Sequence, residues 1–125
     1  MLEGFKPYIM AAGAPTITFS KNGLGVSKAA VAKLNNAKHV RILFDQSGKR
    51  MAIQVCNEDD FAAVEFAKSE KPEGARWNTR DLSVTIKKIT GWSTDNDETY
   101  RIDGEFVEDE QHLALVFDFA TAKRS

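Results

Sequence analysis

Two stretches of strict alternation, each interrupted by a short polar loop, constrain this chain more than any other feature. Val40, Ile42 and Phe44 alternate with Arg41, Leu43 and Asp45. Gln46-Ser47-Gly48-Lys49 then intervenes, and Met51, Ile53 and Val55 return with Ala52 and Gln54 between them. Period-two runs either side of a glycine-containing loop predict a β-hairpin with one buried face. Further along, Tyr100, Ile102 and Phe106 face one way and Arg101, Asp103 and Glu105 the other. Glu108 to Gln111 read as the loop, after which Leu113, Leu115, Phe117 and Phe119 return. At an offset of 62, Val40, Phe44, Met51, Ile53 and Val55 fall on Ile102, Phe106, Leu113, Leu115 and Phe117. Ile42 falls on Gly104, which marks a bulge or a close contact. A rival register turns at Asp103-Gly104 but leaves Tyr100 to Ile102 short for a strand.

Each hairpin follows strand and helix signals. Ile17 and Phe19 alternate with threonines, and Lys21-Asn22-Gly23 is a turn signal. Ser27 is placed to cap a helix carrying Ala30, Val31 and Leu34, which Asn35-Asn36 stop. In the second half Trp77 lies in a short strand, and Asn78 or Thr79 caps a helix striped by Leu82, Ile86 and Ile89. Gly91 ends that helix. Val31 and Leu34 fall on Ile86 and Ile89 at an offset of 55, and an insertion near Ser93 to Thr99 makes up the difference. Between the halves, Asn57 caps a third helix, with Glu58, Asp59 and Asp60 in its first turn and Phe61, Val64 and Phe66 on its apolar side. The expected fold is α+β: two similar strand–helix–β-hairpin units packed with pseudo-twofold symmetry, mainly antiparallel sheet with three short helices. The units are 15–56 and 75–122, joined by a helical connector at 57–74. Residues 1–14 form an N-terminal extension outside the fold.

At 125 residues the chain holds one domain, with 42% hydrophobic and 28% charged residues. Apolar runs are far shorter than a membrane-spanning helix requires, so no membrane partner is expected. Met1 to Pro15 does not read as a signal peptide, its apolar stretch being short and Glu3 offsetting Lys6. A lone cysteine, Cys56, fits a reducing, cytoplasmic compartment. The net charge of −1 hides a split: residues 1–56 hold eight bases and two acids, residues 57–125 nine bases and sixteen acids. Such polarity marks an electrostatic footprint for nucleic acid, or halves that complement each other within the fold or across a homodimer.

Ile17 to Val55 resembles the AbrB/SpoVT-like swapped-hairpin DNA-binding domain. Ile17-Thr18-Phe19-Ser20-Lys21 matches its strand, and Asn22 to Ser27 its glycine-containing element, with Leu24 and Val26 as the apolar pair. Leu34 matches the helix-terminal leucine; His39 to Asp45 and Arg50 to Val55 match the closing hairpin. Gly23 stands at a usually polar position, Ser27 replaces a proline, and the loop before Val40 lacks the usual Gly-Asp pair. A second copy falls at 76–119. The resemblance implies two interlocked units and DNA binding by basic side chains around the glycine loop and helix start. Lys21 and Lys28 lie there in the first copy, and Arg76 and Arg80, beside Asp81, in the second.

The expectation is a non-enzymatic, AbrB-like regulator that meets the phosphates of double-stranded DNA with Lys21, Lys28, Lys33, Arg41, Lys49 and Arg50. The same residues also read as ordinary solvated faces. The alternative is a protein-interaction module, antitoxin-like or a phage accessory protein, offering Asp103, Glu105, Glu108 and Asp109 to a basic partner. No catalytic residue, metal or cofactor is expected. Gly23-x-Gly25 lacks the third glycine of a dinucleotide fingerprint, and the acidic stretch misses the EF-hand pattern. His39 and His112 have no helix-spaced ligand partner, and a Cys56–histidine nucleophile pair rests on proximity that a sequence does not reveal.

Overall fold

The computed structural model describes residues 14–68, 73–93, 98–109 and 112–124, without the side chains of 108, 109 and 112. The strands are β1 (Thr16–Ser20), β2 (Gly23–Val26), β3 (His39–Asp45), β4 (Arg50–Val55), β5 (Val64–Glu65), β6 (Ala75–Trp77), β7 (Tyr100–Asp109), β8 (His112–Asp118) and β9 (Lys123–Arg124). The helices are α1 (Lys28–Lys33) and α2 (Arg80–Thr90). Every strand pairing is antiparallel, in the order β5-β3-β4-β8-β7-β1-β2-β6, with β9 also on β7.

The sheet curls into a half-barrel. Long strand β7 makes the turn: residues 100–103 pair with β1 and residues 104–109 with β8. Alternation sends Ile17, Phe19, Leu24, Val26, Val40, Met51, Ile53, Ile102, Leu115 and Phe117 into one shared core. Helix α1 is mostly small residues, and Ala29, Ala30, Val31, Ala32 and Leu34 are all buried with them. Only Ile86 is fully buried on the longer, amphipathic α2. No helix of the described residues is long and apolar enough to cross a membrane.

This architecture corrects the expected fold class. Among the described residues there are neither two separately packed units nor three α-helices: one mostly antiparallel sheet runs through both halves, and α2 is the single substantial helix. Strands that the repeat equates, β4 and β8, pair with each other, and Ile53 lies directly opposite Leu115. The hairpins also differ in register. Phe44 faces Met51 across a four-residue loop, whereas Phe106 faces Leu115, because β7 runs to Asp109 and β8 begins at His112. Of the expected loop at Glu108–Gln111, Glu108 and Asp109 belong to β7, and residues 110 and 111 lie outside the described residues.

The helix expected after Asn57 does not form. Asp60 turns the chain instead, its Oδ1 accepting the Ala62 N–H (2.9 Å), and Phe66 N–H donates to the Lys38 carbonyl (2.8 Å). The sheet edge captures this segment as β5, since backbone bonds to β3 outcompete a short solvated helix. Residues 1–13 and much of the expected insertion, 94–97, lie outside the described residues.

Candidate nucleic-acid interface

The outer face of the curled sheet carries a row assembled from five strands, three of whose residues are cations. Arg76 on β6 lies opposite Gly25 on β2, Gly25 opposite Thr18 on β1, Thr18 opposite Arg101 on β7, and Arg101 opposite Lys123 on β9. Directly opposed residues share a face, and this is the outer one because Ile17, Phe19, Leu24, Tyr100 and Ile102 beside them are buried. Arg76, Arg101 and Lys123 are exposed. Three strand steps separate the columns of Arg101 and Arg76, about 14 Å at ordinary strand spacing.

Between them lies a cavity of about 430 Å³ lined by Thr16, Thr18, Gly25, Ser27, Gly74 and Arg76, among others. Gly25 sets its depth. A Cβ there would stand 3.3 Å from Arg76 Nη2, so the bare backbone lets the guanidinium lie across the strand. Arg76 Nη1 donates to the Asn22 carbonyl (3.2 Å), which holds the side chain along β2. Asp103, opposite Thr16, is the nearest acid in register.

The residues expected to touch DNA are not gathered. Lys21 sits on the β1–β2 turn, Lys28 and Lys33 on α1, and Lys49 on the β3–β4 loop, where it adopts a left-handed φ of 52°. Arg41 is committed to its own fold: Nε donates to Gln54 Oε1 (2.7 Å) and Nη1 bridges Asp60 (3.4 Å). Arg50 donates Nη2 and Nε to Asp45 Oδ2 (2.6 and 3.2 Å). Of the acidic set, Asp103 and Glu105 are exposed on β7, with Val107 also exposed beyond them. The side chains of Glu108 and Asp109 lie outside the described residues.

Arg101 and Lys123 were missed as site residues because nothing in their own sequence neighbourhood places Arg101 between Thr18 and Lys123. Outward alternation on β7 was the available signal for Arg101.

Cys56 N–H donates to the His39 carbonyl (3.2 Å), a backbone contact, and burial pushes the thiol up, with Asp60 adding to the rise. A thiol held protonated is a weak nucleophile. The Glu98 carboxylate accepts the Tyr100 hydroxyl (2.7 Å) and, together with burial, raises that phenol. Among the described residues no group of three acid, histidine or cysteine side chains is placed to hold a metal.

No family model, curated protein or solved structure matches the chain.

Proposed function

We propose that this is a non-enzymatic nucleic-acid-binding protein, a DNA-binding regulator in the sense of the AbrB-like resemblance. Its phosphate contacts lie on the outer row Lys123–Arg101–Thr18–Gly25–Arg76 rather than on the residues first expected. The observation that carries the reading is that row, in which three cations from three strands flank a glycine-floored trough. Each phosphate neutralised releases counterions, so three cations give a log–log salt slope near −2.7 on duplex DNA. Affinity then falls about 40-fold between about 50 and about 200 mM salt.

A salt titration of duplex binding by fluorescence anisotropy tests this. Arg76→Ala or Arg101→Ala is expected to flatten the slope by about 0.9, and Arg41→Ala to leave it unchanged. No binding at low salt, or binding indifferent to salt, overturns the proposal.

A second reading, the homodimer, is favoured by exposed apolar side chains. Phe61 is 99% exposed beside the Arg41–Asp60 pair, and Leu43 and Val107 are exposed on the outer faces of β3 and β7. It predicts a homodimer in sedimentation that Phe61→Ser dissociates; a wild-type monomer at every concentration counts against it.

A further inference from the structure

Among the described residues no strand pairing joins the two terminal strands of the half-barrel, β5 and β6. Edge strands present unpaired N–H and C=O groups to whatever lies beside them. Here the seam holds a cavity of about 300 Å³ lined by Val64, Glu65, Phe66, Lys68, Ala75, Arg76 and Trp77. One indole spans it: Trp77 Nε1–H donates to the Glu65 carbonyl on the opposite edge (3.1 Å). Phe66, itself buried, backs the indole with ring centroids 5.7 Å apart and planes 24° from parallel. The ring is thus fixed from one side and at one corner while it also lines the cavity.

Two features narrow what such a slot accepts. Its walls combine the aromatic and apolar Val64, Phe66, Ala75 and Trp77 with the charged Glu65, Lys68 and Arg76, which suits a flat ligand with a hydrogen-bonding rim whose anionic part lies toward the two cations and away from Glu65. It also adjoins the phosphate trough, since Ala75 and Arg76 line both cavities. Arg76 therefore stands between a place for an anion and a place for a ring.

We propose that the polynucleotide held by the outer row inserts one unpaired base into the β5–β6 seam against Trp77, with the adjoining phosphate on Arg76. This rests on the nucleic-acid reading of the row. A base in a duplex is stacked and paired, so the seam selects single strands or extruded bases.

The test compares three probes on the full chain: oligothymidylate, an abasic oligomer of the same length, and a duplex. The expected result is oligothymidylate binding about 10-fold or more tighter than the abasic oligomer, as base–aromatic stacking implies. Trp77→Ala should abolish that difference, Trp77→Phe should retain part of it, and Arg76→Ala should weaken both oligomers. Should Trp77→Ala fail to fold, the Trp77 indole N–H resonance of the wild-type protein gives the answer. It is expected to shift with oligothymidylate and to stay fixed with the abasic oligomer. Equal affinity for both oligomers with a normal salt slope overturns the base slot and leaves the phosphate row standing. Failure of all three probes overturns both.

Discussion

At Gly104 the sheet makes room for Phe117. A Cβ at that position would stand 2.6 Å from Phe117 Cε1 and 3.0 Å from Cζ, and the two residues are directly opposed. Phe117 is fully buried, so its ring has nowhere to retreat. The positive-φ glycines among the described residues are Gly23 and Gly91, so a substitution at 104 tests packing rather than backbone strain. Gly104→Ala should destabilise by about 1–3 kcal/mol, seen as a lower urea midpoint at unchanged slope. Combined with Phe117→Leu, it should cost clearly less than the sum of the single changes; strict additivity would sink the packing account. Asp45 supports a prediction of a different kind. Its carboxylate takes the Arg50 guanidinium and the Gly48 N–H (3.0 Å), and Arg50, the larger influence, holds it below the ordinary 3.8. A depressed carboxyl contributes its stability fully above the ordinary value and loses it as pH falls through the lowered one. A carboxyl titration followed by NMR should therefore give Asp45 a midpoint below 3.8 that climbs in Arg50→Gln. A midpoint indifferent to that substitution refutes the pairing.

Elements show where local sequence chemistry suffices and where it fails. Ser27 caps α1, and its Oγ accepts from both Ala30 N–H (3.1 Å) and Thr16 N–H (2.9 Å). One hydroxyl thus ends a helix and anchors the start of β1. Ser27→Ala should cost about 1–2 kcal/mol and Ser27→Thr much less, measured by thermal or urea unfolding. Equal losses for both would mean that the oxygen is not what matters. Caps of this kind were legible in the sequence because they are local: Thr79 starts α2 and Gly91, at φ 77°, ends it. Asn57-Glu58-Asp59-Asp60 carried the same local signature and misled. Asp60 serves the Ala62 amide and Arg41 instead, and Ala67 N–H joins Phe66 N–H in donating to the segment just before β3. Arg41, Ala37 and Lys38 lie outside any helical window, so no cap rule could have weighed them.

For the whole molecule, alternation disclosed which residues point inward but not which strands meet. β1 pairs with β7, β2 with β6 and β4 with β8, each across a long loop of chain whose closure leaves no local mark. The candidate site was hidden for the same reason: Lys123, Arg101, Thr18, Gly25 and Arg76 come from five strands and become a row only through register. The charge count pointed instead to the first 56 residues, where Arg41 and Arg50 are spent on Asp60 and Asp45. This interleaving has a thermodynamic consequence. A fragment of residues 15–56 would keep the β3–β4 hairpin and lose β7, β8, β5 and β6, the partners of its remaining edges. Neither 15–56 nor 75–122 should then fold alone, and the intact chain should unfold in one step, with tryptophan fluorescence and far-UV circular dichroism coincident in urea. Refolding should be slow for so short a chain, since distant strands must meet before most of the core is rewarded. Two resolved transitions, or a cooperative melt from either fragment, would show that the halves stand on their own and that the sheet joining them is not the unit of stability.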